Sequence, residues 1–246
     1  MEEKRGQNRV SLARTFQTVF SNRALLAIIG AAIGLLLSQL LIQSMNQYLY
    51  LDYFKDTRAL SVFSLVSTAV SLAIAGMTVP LSRKFGKKEV AAAATCFSGA
   101  SYLLLYFMHI RNSWLYMFLS VIGFLGVNLF NMIIWANITD VIDDHEVRTG
   151  SRDDGTVYSV YSFARKIGQA LAGGLGGAAL QAIGYDELAA VQSTRVVEGI
   201  YATVNLIPAV CFLAVAAILA FIYPLGRKKV EENAAILKKK REIEGR

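Results

Sequence analysis

The chain predicts an all-α integral membrane fold of six transmembrane helices, on three observations. Hydrophobic residues make up 54% of its 246 positions, more apolar surface than a soluble domain of this size ordinarily buries. That surface is gathered into six stretches of about 20 residues, the length that crosses a hydrocarbon core. The basic residues sit beside the ends of those stretches and almost all on one side.

The six predicted spans are residues 24–50, 60–81, 90–108, 114–139, 157–183 and 200–223. Arg23, together with Lys4, Arg5, Arg9 and Arg14, precedes the first. Arg83, Lys84, Lys87 and Lys88 separate the second and third, and Arg227, Lys228, Lys229, Lys238, Lys239, Lys240, Arg241 and Arg246 follow the last. The other side holds Lys55, Arg58, Arg111 and Arg195. The positive-inside rule then puts both termini in the cytoplasm of a multi-pass cell-membrane protein whose first span serves as its membrane signal. The formal net charge of +7 is accounted for by this placement, so it argues for a lipid bilayer as partner and not for nucleic acid.

Three segments follow. Residues 1–23 read as a cytoplasmic, linker-like lead-in, with Leu12, Phe16 and Val19 at the spacing of a short interfacial helix. Residues 24–225 form the transmembrane bundle, and residues 226–246 a basic cytoplasmic tail held near anionic lipid headgroups. The region from Asp140 to Arg152 reads as the loop after the fourth span, and His109 and His145 as solvated residues at a span edge and in that loop. There is no Gly-rich phosphate loop, no Cys or His cluster at metal spacing and no nucleophile elbow, so no enzyme and no cofactor is predicted. Cys96 and Cys211 fall inside spans and read as small apolar packing residues.

Polar residues within spans carry the functional signal. Arg165 and Lys166 lie inside the fifth span, Lys166 roughly 15 Å along the helix from its start. A cation at such depth costs at least about 2.5 kcal/mol unless it faces a wet cavity or a bundle interior. No acidic residue is predicted at comparable depth in the other five spans. For Arg165, snorkelling to the interface is an equal alternative. Gln39, Gln43, Asn46 and Gln47 on the first span, and Asn128, Asn131 and Trp135 on the fourth, form polar faces. Amides plus an aromatic ring are what a sugar site needs: hydroxyls take paired donors and acceptors while the pyranose face packs on a ring. Lys166, Asn131 and Trp135 are therefore the candidate substrate-binding residues. Gly173 and Gly177 stand at the four-residue spacing of close helix packing.

The run Trp135-Ala136-Asn137-Ile138-Thr139-Asp140-Val141-Ile142-Asp143, then Arg148-Thr149-Gly150-Ser151-Arg152, then Lys166-Ile167-Gly168, resembles the glycoside-pentoside-hexuronide:cation symporters of the major facilitator superfamily. Pro80-Leu81-Ser82-Arg83-Lys84-Phe85-Gly86-Lys87-Lys88 is similar to a basic loop of major facilitators. The resemblance covers nearly the whole chain as the C-terminal half of a twelve-helix transporter, a 3+3 inverted repeat. It implies that Lys166 sits near the cation and sugar sites. It further implies that Asp140, Asp143 and Arg152 form a charged inner gate, and that the coupling cation, Na+, H+ or Li+, is held by carboxylates of an N-terminal half. The expected activity is sugar:cation symport with a complementary N-terminal half. A homodimeric six-helix transporter and a truncated, non-transporting bundle are the alternatives.

Overall fold

The computed structural model describes residues 22–243 and 245. The lead-in expected over residues 1–23, apart from its last two positions, and its short interfacial helix lie outside the described residues.

Six long helices form the bundle. Helix α1 runs over Arg23–Tyr48 and continues as a π-helical turn, Leu49–Tyr53; Asn22 caps it by accepting from the Leu25 amide. Helix α2 spans Thr57–Phe85, capped by Asp56, which accepts from the Ala59 amide. Gly86, at φ +98°, turns the chain directly into α3, Lys87–Met108. A side chain there would be strained by the dihedral and would also strike the Glu89 carboxylate. Helix α4 covers Ser113–Thr149, α5 Asp154–Ile183, and α6 Thr194–Ala217 with a second π-helical turn, Ile218–Ile222. A seventh, polar helix α7, Arg227–Ile243, closes the described chain.

Helices α1, α2, α3, α4 and α6 are long and apolar enough to cross a membrane, by length and composition. The remaining expected span coincides with α5, which has 30 residues, about 45 Å, but carries Arg165, Lys166 and Gln169 in mid-helix and is correspondingly less apolar.

The packing has the symmetry of a three-plus-three repeat. Helix α1 lies against α5 and α6, α4 lies against α2 and α3, and α3 packs on α6. Exchanging the first three helices for the last three turns each of these contacts into another of the set. Because an odd number of crossings separates α1 from α4, the two triplets run in opposite senses, so the repeat is inverted. Small residues let the inner helices touch. Gly99 stands against Leu213 of α6, and Gly126 of α4 stands against the Ala94 carbonyl of α3. Helices α2 and α5 flank the bundle and leave much of their length uncovered, with Leu65 and Leu72 of α2 73% and 74% exposed.

Two features differ from the sequence expectation. Helix α4 does not stop at Thr139 but continues to Thr149, so Asp140 through Arg148 are helical. The reason is that Val141 and Ile142 keep the apolar phase of the helix and are buried, while α7 covers the extension through Leu237 and Asn233. His145 is accordingly 8% exposed on this helix, 3.5 Å from Asp153, and not a solvated loop residue. The glycines of α5 are also out of the expected phase. Gly173 and Gly177 have nothing within 4 Å of where a side chain would start, whereas Gly168 lies against Ile33 and Leu36, and Gly176 against Ser44. The close-packing stripe is therefore Gly168, Ala172 and Gly176, all buried.

Candidate functional site

The ends of the bundle are held differently. At the end bearing Lys55, Arg58, Arg111 and Arg195, an aromatic layer fixes the helices: Tyr53 stacks on Tyr201 at 4.6 Å, and Phe54 packs on Tyr116 at 5.0 Å. The Tyr201 hydroxyl donates to the Leu105 carbonyl (2.6 Å) and accepts from the Ile110 amide (3.1 Å). In the connecting segments, Asp56 accepts from the Ser113 hydroxyl at 2.7 Å, which holds its carboxyl below the usual range.

The opposite, more basic end carries a lattice of charges. Asp140, 5% exposed, accepts from Lys87 of α3 at 2.6 Å. Arg152 donates to Glu146 (2.9 Å), Asp143 (3.0 Å) and Asp154 (3.1 Å), tying the end of α4 to the start of α5. These carboxylates, Glu146 foremost, hold the guanidinium further toward its charged form. Of the three residues the resemblance groups as a gate, Asp143 and Arg152 are joined directly, while Asp140 belongs to the neighbouring α3–α4 pair. Helix α7 adds the next layer. Asn233 donates to Asp144 at 3.1 Å, Lys240 to the Gly150 carbonyl at 3.2 Å, and Arg241 lies 3.7 Å from Glu146. The basic tail expected to rest on lipid thus spends several of its polar groups on the end of α4.

Between the two ends lie the mid-helix candidates. Lys166 is exposed on the uncovered face of α5, and it forms no salt bridge among the described residues. Its neighbour Arg165 points elsewhere, as residues about 100° apart on a helix must. The Arg165 guanidinium stands 5.5 Å from the ring centre of Trp135 and 6.0 Å from that of Tyr161, and donates to the Tyr161 hydroxyl at 3.5 Å. Trp135 and Tyr161 meet edge to face at 5.6 Å. Cation–π contact with two rings anchors Arg165 on the α4–α5 wall instead of sending it to the interface. Trp135 keeps 46% of its surface open, and Asn131, one turn away on α4, is half-buried. Asn128 does not share their face in function. It is 6% exposed, accepts from Ser71 of α2 at 2.9 Å and donates to the Phe124 carbonyl at 3.1 Å.

The Arg165–Trp135–Tyr161 trio escapes a reading of single residues because Tyr161 looks like an ordinary core aromatic. Its spacing of four from Arg165, with Trp135 on the helix before, is the only sequence trace. A cleft of about 360 Å³ opens between α1, α2 and α4, lined by Gln39, Gln43 and Asn46 and by Phe63, Ser67 and Phe124 among others. Gln47, at the next position of that amide series, is exposed and outside the cleft.

The sequence profile of the MFS/sugar transport protein family matches residues 1–227. A putative sulfoquinovose importer of Escherichia coli (strain K12) is 33% identical over 224 residues, 90% of this chain and 47% of that protein. The glucuronide carrier protein homolog of the same organism is 27% identical over 236 residues, 95% of this chain and 51% of its own length. The uncharacterized symporter YjmB of Bacillus subtilis (strain 168) is 37% identical over 145 residues, 59% of this chain and 31% of that protein. The chain spans about half the length, or less, of these curated relatives.

Proposed function

The chain belongs to the MFS/sugar transport protein family, as the match over residues 1–227 requires, and from that premise we propose that its bundle is one wall of a sugar:cation symport path completed by a complementary six-helix half. The observation that carries the reading is Lys166, an ammonium in mid-helix on an uncovered face. Left against lipid, such a group is costly. Set across a wet central cavity from the carboxylates of a second half, it becomes part of a charge-balanced site.

In this account Trp135 offers the open part of its ring to one face of a sugar, Asn131 supplies an amide donor and acceptor, and Lys166 balances charge between the sugar and the coupling cation. Arg165, held by Trp135 and Tyr161, keeps the ring of Trp135 in place. The basic end is cytoplasmic by the one-sided charge distribution, in a cell membrane. The lattice around Arg152 serves as an inner latch, because its more open pairs, with Asp143 and Asp154, contribute only about 0–1 kcal/mol each and can form and break in a cycle. Rocking of one half against the other, the motion of transporters built from repeats, would open the site to each side in turn. The relatives, a putative sulfoquinovose importer, a glucuronide carrier protein homolog and an uncharacterized symporter, support coupled substrate transport.

The test is radiolabelled sugar uptake in cells expressing this chain with and without a candidate N-terminal half. Uptake that needs both supports the proposal. Full uptake by this chain alone, together with a purified dimer, would replace the complementary half by a second copy.

A further inference from the structure

We infer that the cavity between the α2–α3 turn, α4 and the start of α7 is a binding site for a phosphate group that still carries a proton, on a lipid headgroup or free in solution. The turn builds the site. Gly86, at φ +98°, lets α3 begin directly after α2, and this brings Arg83, from the last turn of α2, and Lys87, the first residue of α3, to the lining of one cavity. Asp140 of α4 and Arg227 and Glu231 of α7 line it as well. Its volume of about 150 Å³ is half of the roughly 300 Å³ at which pockets for drug-sized ligands begin. It suits one small group.

Two observations specify the occupant. The lining holds three cations, Arg83, Lys87 and Arg227, against two carboxylates, Asp140 and Glu231, so a monoanion balances it. The second observation is Asp140 itself, 5% exposed, whose Oδ1 accepts from Lys87 at 2.6 Å while its Oδ2 has no hydrogen-bond partner among the described residues. A buried acceptor left unpaired costs free energy, so the occupant must bring a donor to it. An anion that also donates is a protonated oxyanion. Sulfate or a carboxylate would set lone pairs against Oδ2, a phosphodiester has no P–OH, and a metal ion would meet a positive lining. A phosphate monoanion donates its P–OH to Oδ2 and accepts from the cations with its remaining oxygens. Those cations have donors to spare. Arg83 forms no salt bridge among the described residues. Lys87 donates otherwise only to the Ala136 carbonyl at 3.3 Å, and Arg227, with five N–H groups, engages the Glu231 carboxylate at 2.8 Å and the Lys84 carbonyl at 2.6 Å. A phosphate held there ties the α2–α3 turn to α4 and α7. The site contains none of Lys166, Asn131 and Trp135, so it stands or falls independently of the sugar reading.

Binding is measurable on the purified chain. Equilibrium dialysis of radiolabelled inorganic phosphate against the chain in phosphatidylcholine nanodiscs, with unlabelled sulfate as competitor, reads the free ion near pH 6, about the second pKa of a phosphomonoester. Native mass spectrometry of the chain reconstituted with phosphatidic acid, which has a P–OH, or phosphatidylglycerol, which has none, reads the lipid. The expected result is saturable phosphate binding that sulfate does not displace, retention of phosphatidic acid over phosphatidylglycerol, or both, and the arm that responds names the source. Asp140→Asn turns a donor into the cavity and should reduce that preference about tenfold. Arg83→Gln should weaken the preferred ligand about tenfold with its melting temperature unchanged, since Arg83 is exposed and has no ion pair to lose. If Asp140→Asn fails to fold, Arg83→Gln decides alone, and undiminished binding by it overturns the inference. So does the absence of binding in both arms, or equal binding of phosphate and sulfate together with equal retention of the two lipids, which would make the cavity an unselective basic patch.

Discussion

Replacing Lys87 by Met should destabilise the bundle by about 3 kcal/mol. Asp140 is 5% exposed, its Oδ1 is 2.6 Å from Lys87, and its Oδ2 has no other partner among the described residues. Removing one member of a buried pair leaves the other charge uncompensated, which costs about 3–5 kcal/mol. Lys87 is itself 31% exposed, so water enters on its side and the lower figure applies. Reversible unfolding in mixed detergent micelles measures the loss, about a hundredfold in the folding equilibrium constant. The double variant Lys87→Met with Asp140→Asn should recover much of it, a coupling of up to about 3 kcal/mol. Arg111→Met supplies the contrast. Arg111 is 67% exposed and its partner Glu198 32%, and losing such a pair should cost about 0–1 kcal/mol. Equal, small effects of Lys87→Met and Arg111→Met, with no recovery in the double variant, would refute the claim that Asp140 depends on Lys87.

Three further outcomes follow from the geometry. Gly126→Ala pushes a methyl group into the Ala94 carbonyl and Ser98 and should cost about 1–3 kcal/mol, while Gly177→Ala meets nothing and should not destabilise, both read by the same unfolding assay. Arg152→Ala breaks three contacts at the α4–α5 junction and, in the assembled transporter, should reduce net uptake more than sugar binding. Uptake at the wild-type level would make the cluster a solvated lattice without a gating role. Reporter fusions after Lys55 and after Lys87 should report opposite sides of the membrane, and agreement between them would discard the six-crossing topology.

Much of the fold was legible because lipid imposes a coarse rule. Stretches of about 20 apolar residues located all six long helices, and the sites where polar residues broke those stretches marked α5 and its Arg165–Lys166 pair. What escaped was the end of α4. Its acids looked like a loop, while Val141 and Ile142 quietly kept the helical phase and α7, more than 80 positions later, supplied the cover. The Asp140–Lys87 pair is of the same kind, since 53 positions separate the partners and no local spacing announces them. On α5 the glycine signal was real, but a run so rich in small residues has several four-residue spacings, and only packing against Ile33, Leu36 and Ser44 selects Gly168 and Gly176. The α1 amides were visible as a face, whereas their counterpart on α2 was hidden because serines in an apolar helix usually return their hydroxyls to their own backbone, and Ser67 does not.

The proposal that this bundle walls a coupled sugar path rests most heavily on Lys166. Its most direct test is ion-driven uptake of radiolabelled sugar by the complete assembly carrying Lys166→Val, with surface abundance measured alongside. Lys166 is exposed on α5 and forms no salt bridge among the described residues, so insertion and abundance should be unchanged. Coupled uptake should be lost, because opposing carboxylates deprived of the ammonium hold a proton more tightly and couple to the cation poorly. Wild-type coupled uptake by Lys166→Val, with position 166 reached by a lipid-phase probe, would contradict the account.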